Sequence, residues 1–141
     1  YQNLRAIAPA LGTYLAEQIK SAAIPGDALV PVPLHPRRER ERGYNQASLL
    51  ARQAGKLLGL PVLDQALMRL RPTPAQARSA SLEQRRHNVE GAFQCRGGVK
   101  GLRIILVDDV CTSGSTLSAC ALALREAGAA SVWGVTLARE A

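Results

Sequence analysis

The chain has 141 residues, 47% of them hydrophobic, and a formal charge of +7 from 18 basic against 11 acidic side chains. That length suits one domain, 1–141, with a substantial core, and no 18-residue apolar run suggests a membrane-spanning helix. The three cysteines, Cys95, Cys111 and Cys120, form no C-x-x-C pair and support neither a disulfide framework nor a zinc knuckle. Arg5 and its polar neighbours interrupt any apolar leader, so a cytoplasmic location is the expectation. Arginine supplies 15 of the basic residues and lysine only 3, a balance that suits phosphate-rich partners because guanidinium forks match phosphate oxygens.

In chain order, Leu4, Ile7, Ala8, Leu11, Leu15 and Ile19 recur at intervals of three and four. They predict an amphipathic core helix over roughly the first 22 residues, ended by Pro25-Gly26-Asp27. Residues 28–32 predict a short strand, after which Pro31, Pro33 and Pro36 stiffen an extended loop by fixing φ and removing donors. The run 37–42 interleaves Arg37, Arg38, Arg40 and Arg42 with Glu39 and Glu41, the pattern of an ordinary solvated charge run. A helix over about 44–58 follows, with Ala47, Leu50, Ala51, Ala54, Leu57 and Leu58 on one face and Gly59 as its stop.

A second strand is expected at 66–70, before Arg71-Pro72-Thr73-Pro74. Residues 73–86 are polar and thin in hydrophobics, the composition of a mobile flap, with a short helix over 82–88. Residues 92–95 predict a strand, and the glycine-rich link 96–101 suits a hairpin-like turn into the next one. That next strand, 104–107, is aliphatic throughout, as in a parallel strand covered on both faces. A helix over 116–127 stops at Gly128, and 131–137 predicts a last buried strand with Trp133 in the core. The alternation predicts an α/β domain with a largely parallel sheet flanked by helices on both faces.

Chemistry concentrates where the strand 104–107 meets Asp108, Asp109, Val110, Cys111 and the small-residue run Thr112, Ser113, Gly114, Ser115 and Thr116. Paired acids at the carboxyl end of a parallel strand stand where open α/β sheets bind ligands. Hydroxyls, an unhindered glycine and a helix start favour an anion. A phosphate fits the loop, and a polyhydroxylated, Mg-associated group fits the acids. The blander reading, in which Ser115 only caps the helix, needs one hydroxyl and leaves the acids unexplained. Neither G-x-x-x-x-G-K-[ST] nor G-x-G-x-x-G occurs, so P-loop and dinucleotide readings lack their fingerprints. His35 and His87 lie in no metal-ligand spacing, so zinc is unsupported.

Val107-Asp108-Asp109-Val110-Cys111-Thr112-Ser113-Gly114-Ser115-Thr116 resembles the 5-phosphoribosyl-1-pyrophosphate (PRPP) motif of type I phosphoribosyltransferases. With Pro31-Val32-Pro33-Leu34-His35 and Arg42-Gly43-Tyr44-Asn45-Gln46, the chain is similar to the ComF family, linked to DNA uptake in competent bacteria. The resemblance implies a type I phosphoribosyltransferase-like fold and places catalysis at Asp108 and Asp109, which hold the ribose hydroxyls directly or through Mg²⁺. It assigns the 5′-phosphate to Thr112, Ser113, Gly114, Ser115 and Thr116. The pyrophosphate falls to Leu34, His35, Arg42, Gly43, Asn45 and Gln46, with Arg37, Arg38 and Arg40 undecided between pyrophosphate and nucleic acid. The flap at 73–86 is implied to close over substrate, and Gln76, Arg86, Asn88 and Phe93 match family positions without an assigned role. The family's Cys-rich, zinc-binding segment has no match, so the chain is expected to be a piece of a longer protein or a member lacking that module.

Two functions follow from the resemblance. One is Mg²⁺-dependent transfer of a phosphoribosyl group to an unidentified acceptor. The other is a non-catalytic accessory role in DNA uptake, with single-stranded DNA and a helicase as partners. One Trp, one Phe and three Tyr supply no aromatic cluster for gripping a purine.

Overall fold

The computed structural model describes residues 2–34, 36–70, 91–111 and 114–139. The expectations at His35, Thr112 and Ser113, the flap at 73–86, its helix at 82–88, and Gln76, Arg86 and Asn88 lie outside the described residues.

Three parallel strands carry the fold: β1 (Ala28–Pro31), β4 (Arg103–Cys111) and β5 (Ser131–Arg139), in the order β1-β4-β5. Val62 runs parallel beside Leu29 as an isolated bridge on the free side of β1. Pleat alternation divides the aliphatic residues of β4 between two cores. Ile104 and Leu106 face one side, with Ala28 and Val30 of β1 and with Cys120 and Leu124 of α4 (Ser115–Glu126). Ile105 and Val107 face the other, against Leu15 and Ile19 of α1 (Gln2–Ser21) and Leu50 and Ala54 of α3 (Gln46–Leu58). Helices therefore cover both faces, as the continuous apolar run 104–107 predicts. The two helices on one face lie unusually close at Gly12, where a Cβ would stand 2.5 Å from Gln53 Cβ.

A clamp fixes the register at the end of the sheet away from the acids. The Arg103 guanidinium donates to Asp27 at 2.9 and 3.1 Å, and the Arg103 amide donates to the same carboxylate at 2.8 Å. These bonds hold Asp27 at about 2, below the usual carboxylate range.

Four expectations are corrected. The link 96–101 is not a hairpin, because β3 (Phe93–Cys95) pairs antiparallel with β2 (Leu67–Arg69), forming a separate two-stranded ribbon. The charge run is not an extended loop but a short helix, α2 (Pro36–Arg42), in which proline takes the first position, where its missing N–H costs nothing. The helix expected from 44 begins at Gln46, with Asn45 as its N-cap. Finally, β5 is not buried: it lies at the edge of the sheet among the described residues, and Trp133 on the α1 side is 51% exposed.

Asn45 joins two elements. Its side-chain oxygen accepts from the Ala47 amide at 3.0 Å, capping α3, while its Nδ2 donates to the Val32 carbonyl at 3.0 Å. Asn45→Ala removes the cap and leaves a buried carbonyl without that donor. The expected loss is about 1–3 kcal/mol of unfolding free energy by denaturant titration; a loss below ~0.3 kcal/mol would contradict this role.

Candidate functional site

The acids sit inside β4, which continues to Cys111. The sequence places them beyond the strand end; the ladder with β5 reaches further, pairing Asp108 with Thr136 and Val110 with Ala138. The β5 ladder therefore runs past both acids, while the β1 ladder ends at Val107. Asp108 continues the face of Ile104 and Leu106, toward Cys120 of α4. Its Oδ1 accepts from the Asp109 amide at 2.9 Å, and Asp109 Oδ1 accepts from the Val110 amide at 2.9 Å.

Burial raises Asp108 to about 7, and the adjacent Asp109 carboxyl adds to the rise; the Arg69 guanidinium opposes it. Burial also pushes the Cys120 thiol well up, with Asp108 adding to the effect. A carboxyl whose folded pKa lies above the unfolded value of ~3.9 favours the folded state while it is protonated. That contribution is complete below about pH 4 and lost as pH rises to about 7. In divalent-free buffer the wild type should therefore lose stability across this window, and Asp108→Asn should flatten the profile. Parallel profiles for the two proteins would show that Asp108 ionises normally.

After β4, Gly114 takes φ 79°, a left-handed conformation open to glycine, and α4 starts at Ser115 without a side-chain cap. The blander alternative, Ser115 as the cap, is not what the structure shows, since Gly114 holds the cap position. Ser115 and Thr116 are the first two helical residues, both half-buried, so their amides lie in the first turn, where the dipole favours an anion.

On the other side of the sheet's carboxyl end, β1 runs into Leu34 and, through α2, to Arg42, Gly43, Asn45 and Gln46. Gly43 has φ 82° and its amide donates to the Glu39 carbonyl at 2.7 Å, closing α2. Arg37, Arg38 and Arg40 are exposed and Arg42 is half-buried; Arg37 Nε lies 3.6 Å from Glu41 Oε1. Asn45 and Gln46 are buried, and the oxygen and amide of Asn45 are engaged within the fold.

The structure adds Arg69, Cys120 and Thr136 to the neighbourhood of Asp108, none of them singled out by sequence. For Arg69 a signal was available: it is the charged residue in the short apolar strand Leu67–Arg69.

Two adjacent carboxylates are hard oxygen donors. Among the described residues no group of three or more His, Cys, Asp and Glu could hold a metal alone. This donor set fits Mg²⁺, which takes one or two carboxylates and completes its octahedron with water and substrate phosphates.

A family model described as the phosphoribosyl transferase domain matches residues 40–141. The chain belongs to the phosphoribosyltransferase domain family. This phosphoribosyltransferase domain is 39% identical over 117 residues to Competence protein F of Haemophilus influenzae, covering 79% of this chain and 51% of that protein. It is 40% identical over 113 residues to Competence protein ComFC of Bacillus subtilis, covering 79% of this chain and 44% of the relative. It thus spans about half the length of these relatives, and their names bear out the ComF resemblance. Glutamine PRPP amidotransferase from B. subtilis, in a structure complexed with ADP and GMP, matches at a TM-score of 0.63 and 25% identity, over 92% of this chain and 26% of that one. The expected type I phosphoribosyltransferase-like fold is the fold observed.

Proposed function

We propose that the domain binds PRPP with Mg²⁺ and transfers its phosphoribosyl group to an acceptor. The observation that carries this reading is the half-buried acid pair on β4, followed directly by the glycine-led start of α4, in a chain of this family. Asp108 and Asp109 hold the ribose hydroxyls, and the segment 112–116 holds the 5′-phosphate through amides and hydroxyls. The turn from Leu34 to Gln46, with Arg42 and Gly43, receives the pyrophosphate, and Asn45 fixes its shape. Asp108 and Asp109 would hold Mg²⁺, which would supply neutralisation of the substrate's negative charge.

In the reaction the C1′–oxygen bond to pyrophosphate breaks as the acceptor's lone pair forms a new bond to C1′, and pyrophosphate leaves with the electron pair. Positive charge grows at C1′ and negative charge on the leaving oxygen. Carboxylates near the first and arginines near the second stabilise the transition state, and the protein needs no nucleophile of its own. In this reading the chain acts as one domain in the cytoplasm. Calorimetric titration with PRPP, with and without Mg²⁺, tests it: Mg²⁺-dependent binding is expected, and no binding under either condition sinks it.

A second reading is supported by α2, where no residue is buried and Arg37, Arg38 and Arg40 all meet solvent, and by the names of the competence relatives. Here the domain is an accessory of DNA uptake that binds single-stranded DNA and works beside a helicase. It predicts anisotropy of a labelled oligonucleotide that falls steeply with salt and is lost on changing the three arginines to alanine. Binding indifferent to both changes counts against it.

A further inference from the structure

Among the described residues β5 has β4 on one side and no strand on the other. Which of its backbone groups face outward follows from one bond. The Ala130 amide donates to the Leu102 carbonyl at 2.8 Å, and bonding alternates along a strand, so the even-numbered residues bond to β4. The N–H and C=O of Ser131, Trp133, Val135, Leu137 and Arg139 therefore point away from the sheet. The register with β4 keeps a constant offset from Arg103 to Cys111, without a bulge. Residues 131–138 contain no charge and no proline. Bulges, charges and prolines are the devices that guard a sheet edge, and this edge carries none of them.

A helix face continues the same surface. Gly12 lies against Gln53 of α3 and Leu15 against the sheet, so the apolar stripe turned furthest from α3 is Ile7, Leu11 and Tyr14. α1 borders β5, which sets that stripe beside Trp133, Val135 and Leu137 of the edge strand. Ile7 and Tyr14 are each 50% exposed. Exposed apolar residues scattered singly need no explanation, but with Trp133 these gather along one unguarded edge and mark a contact surface.

We infer that this edge binds a second copy of the chain, β5 pairing antiparallel with β5 of the other copy about a two-fold axis through Val135. Val135 is the midpoint of Ser131–Arg139, and its outward N–H and C=O exchange both bonds with Val135 of the second copy. Trp133 exchanges bonds with Leu137 in the same way, and Ser131 with Arg139, so every outward donor meets an outward acceptor. On the α1 side Trp133 faces Leu137 and Val135 faces itself, and no like charges meet across the strands. The axis stands perpendicular to the sheet, so the two α1 helices come side by side on one face and their Ile7–Tyr14 stripes cover each other. Symmetry supplies that matching helix, which an unrelated strand would not bring. The contact is about 30 Å long and about 15–20 Å deep with the helices. That is several hundred Å² per copy against roughly 800 Å² for a standard interface, which fits a dissociation constant on the order of 10 µM. Far below that concentration the chain is a monomer and Trp133 meets solvent. The strands of the two copies run in opposite directions, so the acid pairs lie at opposite ends of the joined sheet and both sites stay open. The pairing is therefore independent of the transferase reading.

Sedimentation velocity of the chain from about 1 to about 200 µM tests this. The mass should rise with concentration from 15.0 kDa toward twice that value. Trp133→Glu places a charge at a position already exposed in the monomer. It should raise the dissociation constant about 10-fold or more with an unchanged melting temperature in dilute solution. Val135→Pro removes an outward donor and leaves the bonds to β4 in place, so it should abolish association. Val135→Cys, oxidised with glutathione disulfide, should give a covalent dimer joined at position 135, because directly opposed residues of such a pair lie about 5.5 Å apart between Cα atoms; peptide mass mapping reads the linkage. A wild type that stays monomeric up to about 200 µM overturns the proposal and leaves the face to a different chain. A dimer that survives both Trp133→Glu and Val135→Pro overturns it too, as does a Val135→Cys dimer without a linkage at position 135, since association then uses another surface.

Discussion

Asp108→Asn combined with Asp109→Asn is expected to weaken Mg²⁺-dependent PRPP binding by about 100-fold or more while leaving the fold intact. The substitution keeps side-chain volume and removes only charge. Both positions lie on β4 where its ladder with β5 continues to Cys111, so the substitution leaves the strand pairing in place. Asp108 is pushed up to about 7 by burial, so a neutral amide there removes a charge the fold holds at a cost, and thermal stability near neutral pH should hold or rise. Loss of affinity with an undiminished melting temperature assigns the effect to the site. Affinity within about 3-fold of wild type would sink the role given to the acids, and a lowered melting temperature would make them structural.

Ile105→Ala should remove about 2–5 kcal/mol of unfolding free energy, the largest stability effect expected here. Ile105 has no exposure, and its side chain fills the core between the sheet, α1 and α3, beside Leu15, Leu29 and Leu50. Three elements wall the site, so it cannot collapse cheaply and a cavity remains. Trp133 is the informative contrast. It is the cross-ladder neighbour of Ile105 in the β4–β5 register, yet 51% exposed, and Trp133→Ala should cost under about 1.5 kcal/mol despite its larger side chain. Denaturant titration of the two variants decides the matter, and comparable losses would mean that the edge of the sheet is covered in solution.

Local periodicity and local chemistry were legible in the sequence. The alternation of Ile104 to Val107 between two cores follows from four consecutive aliphatic residues, and the αL stop at Gly59, with φ 67°, follows from glycine after an apolar helix. The left-handed turn at Gly114 was readable for the same steric reason. What depends on partners far along the chain was not. The strand at Phe93–Cys95 was visible, but its pairing with Leu67–Arg69 rather than with β4 crosses more than twenty residues of sequence. Trp133 failed because apolar composition does not say which strand ends at a sheet edge. The helix Pro36–Arg42 failed because three prolines suggest extended chain, while the i,i+4 pairing of Arg37 with Glu41 favours helix. Arg69 went unnoticed because its meaning lies in Phe93 across the ribbon and Asp108 on another sheet.

Because Asp108 and Asp109 belong to a hydrogen-bonded ladder and not to a loop, their main chain is ordered before any ligand arrives. Association at that end should therefore proceed with little loss of conformational entropy and bury little new apolar surface. A large negative heat-capacity change on PRPP binding would then have to originate outside the three-stranded sheet. The calorimeter that measures affinity would, read at several temperatures, also report how much of the chain beyond the sheet becomes ordered around the ligand.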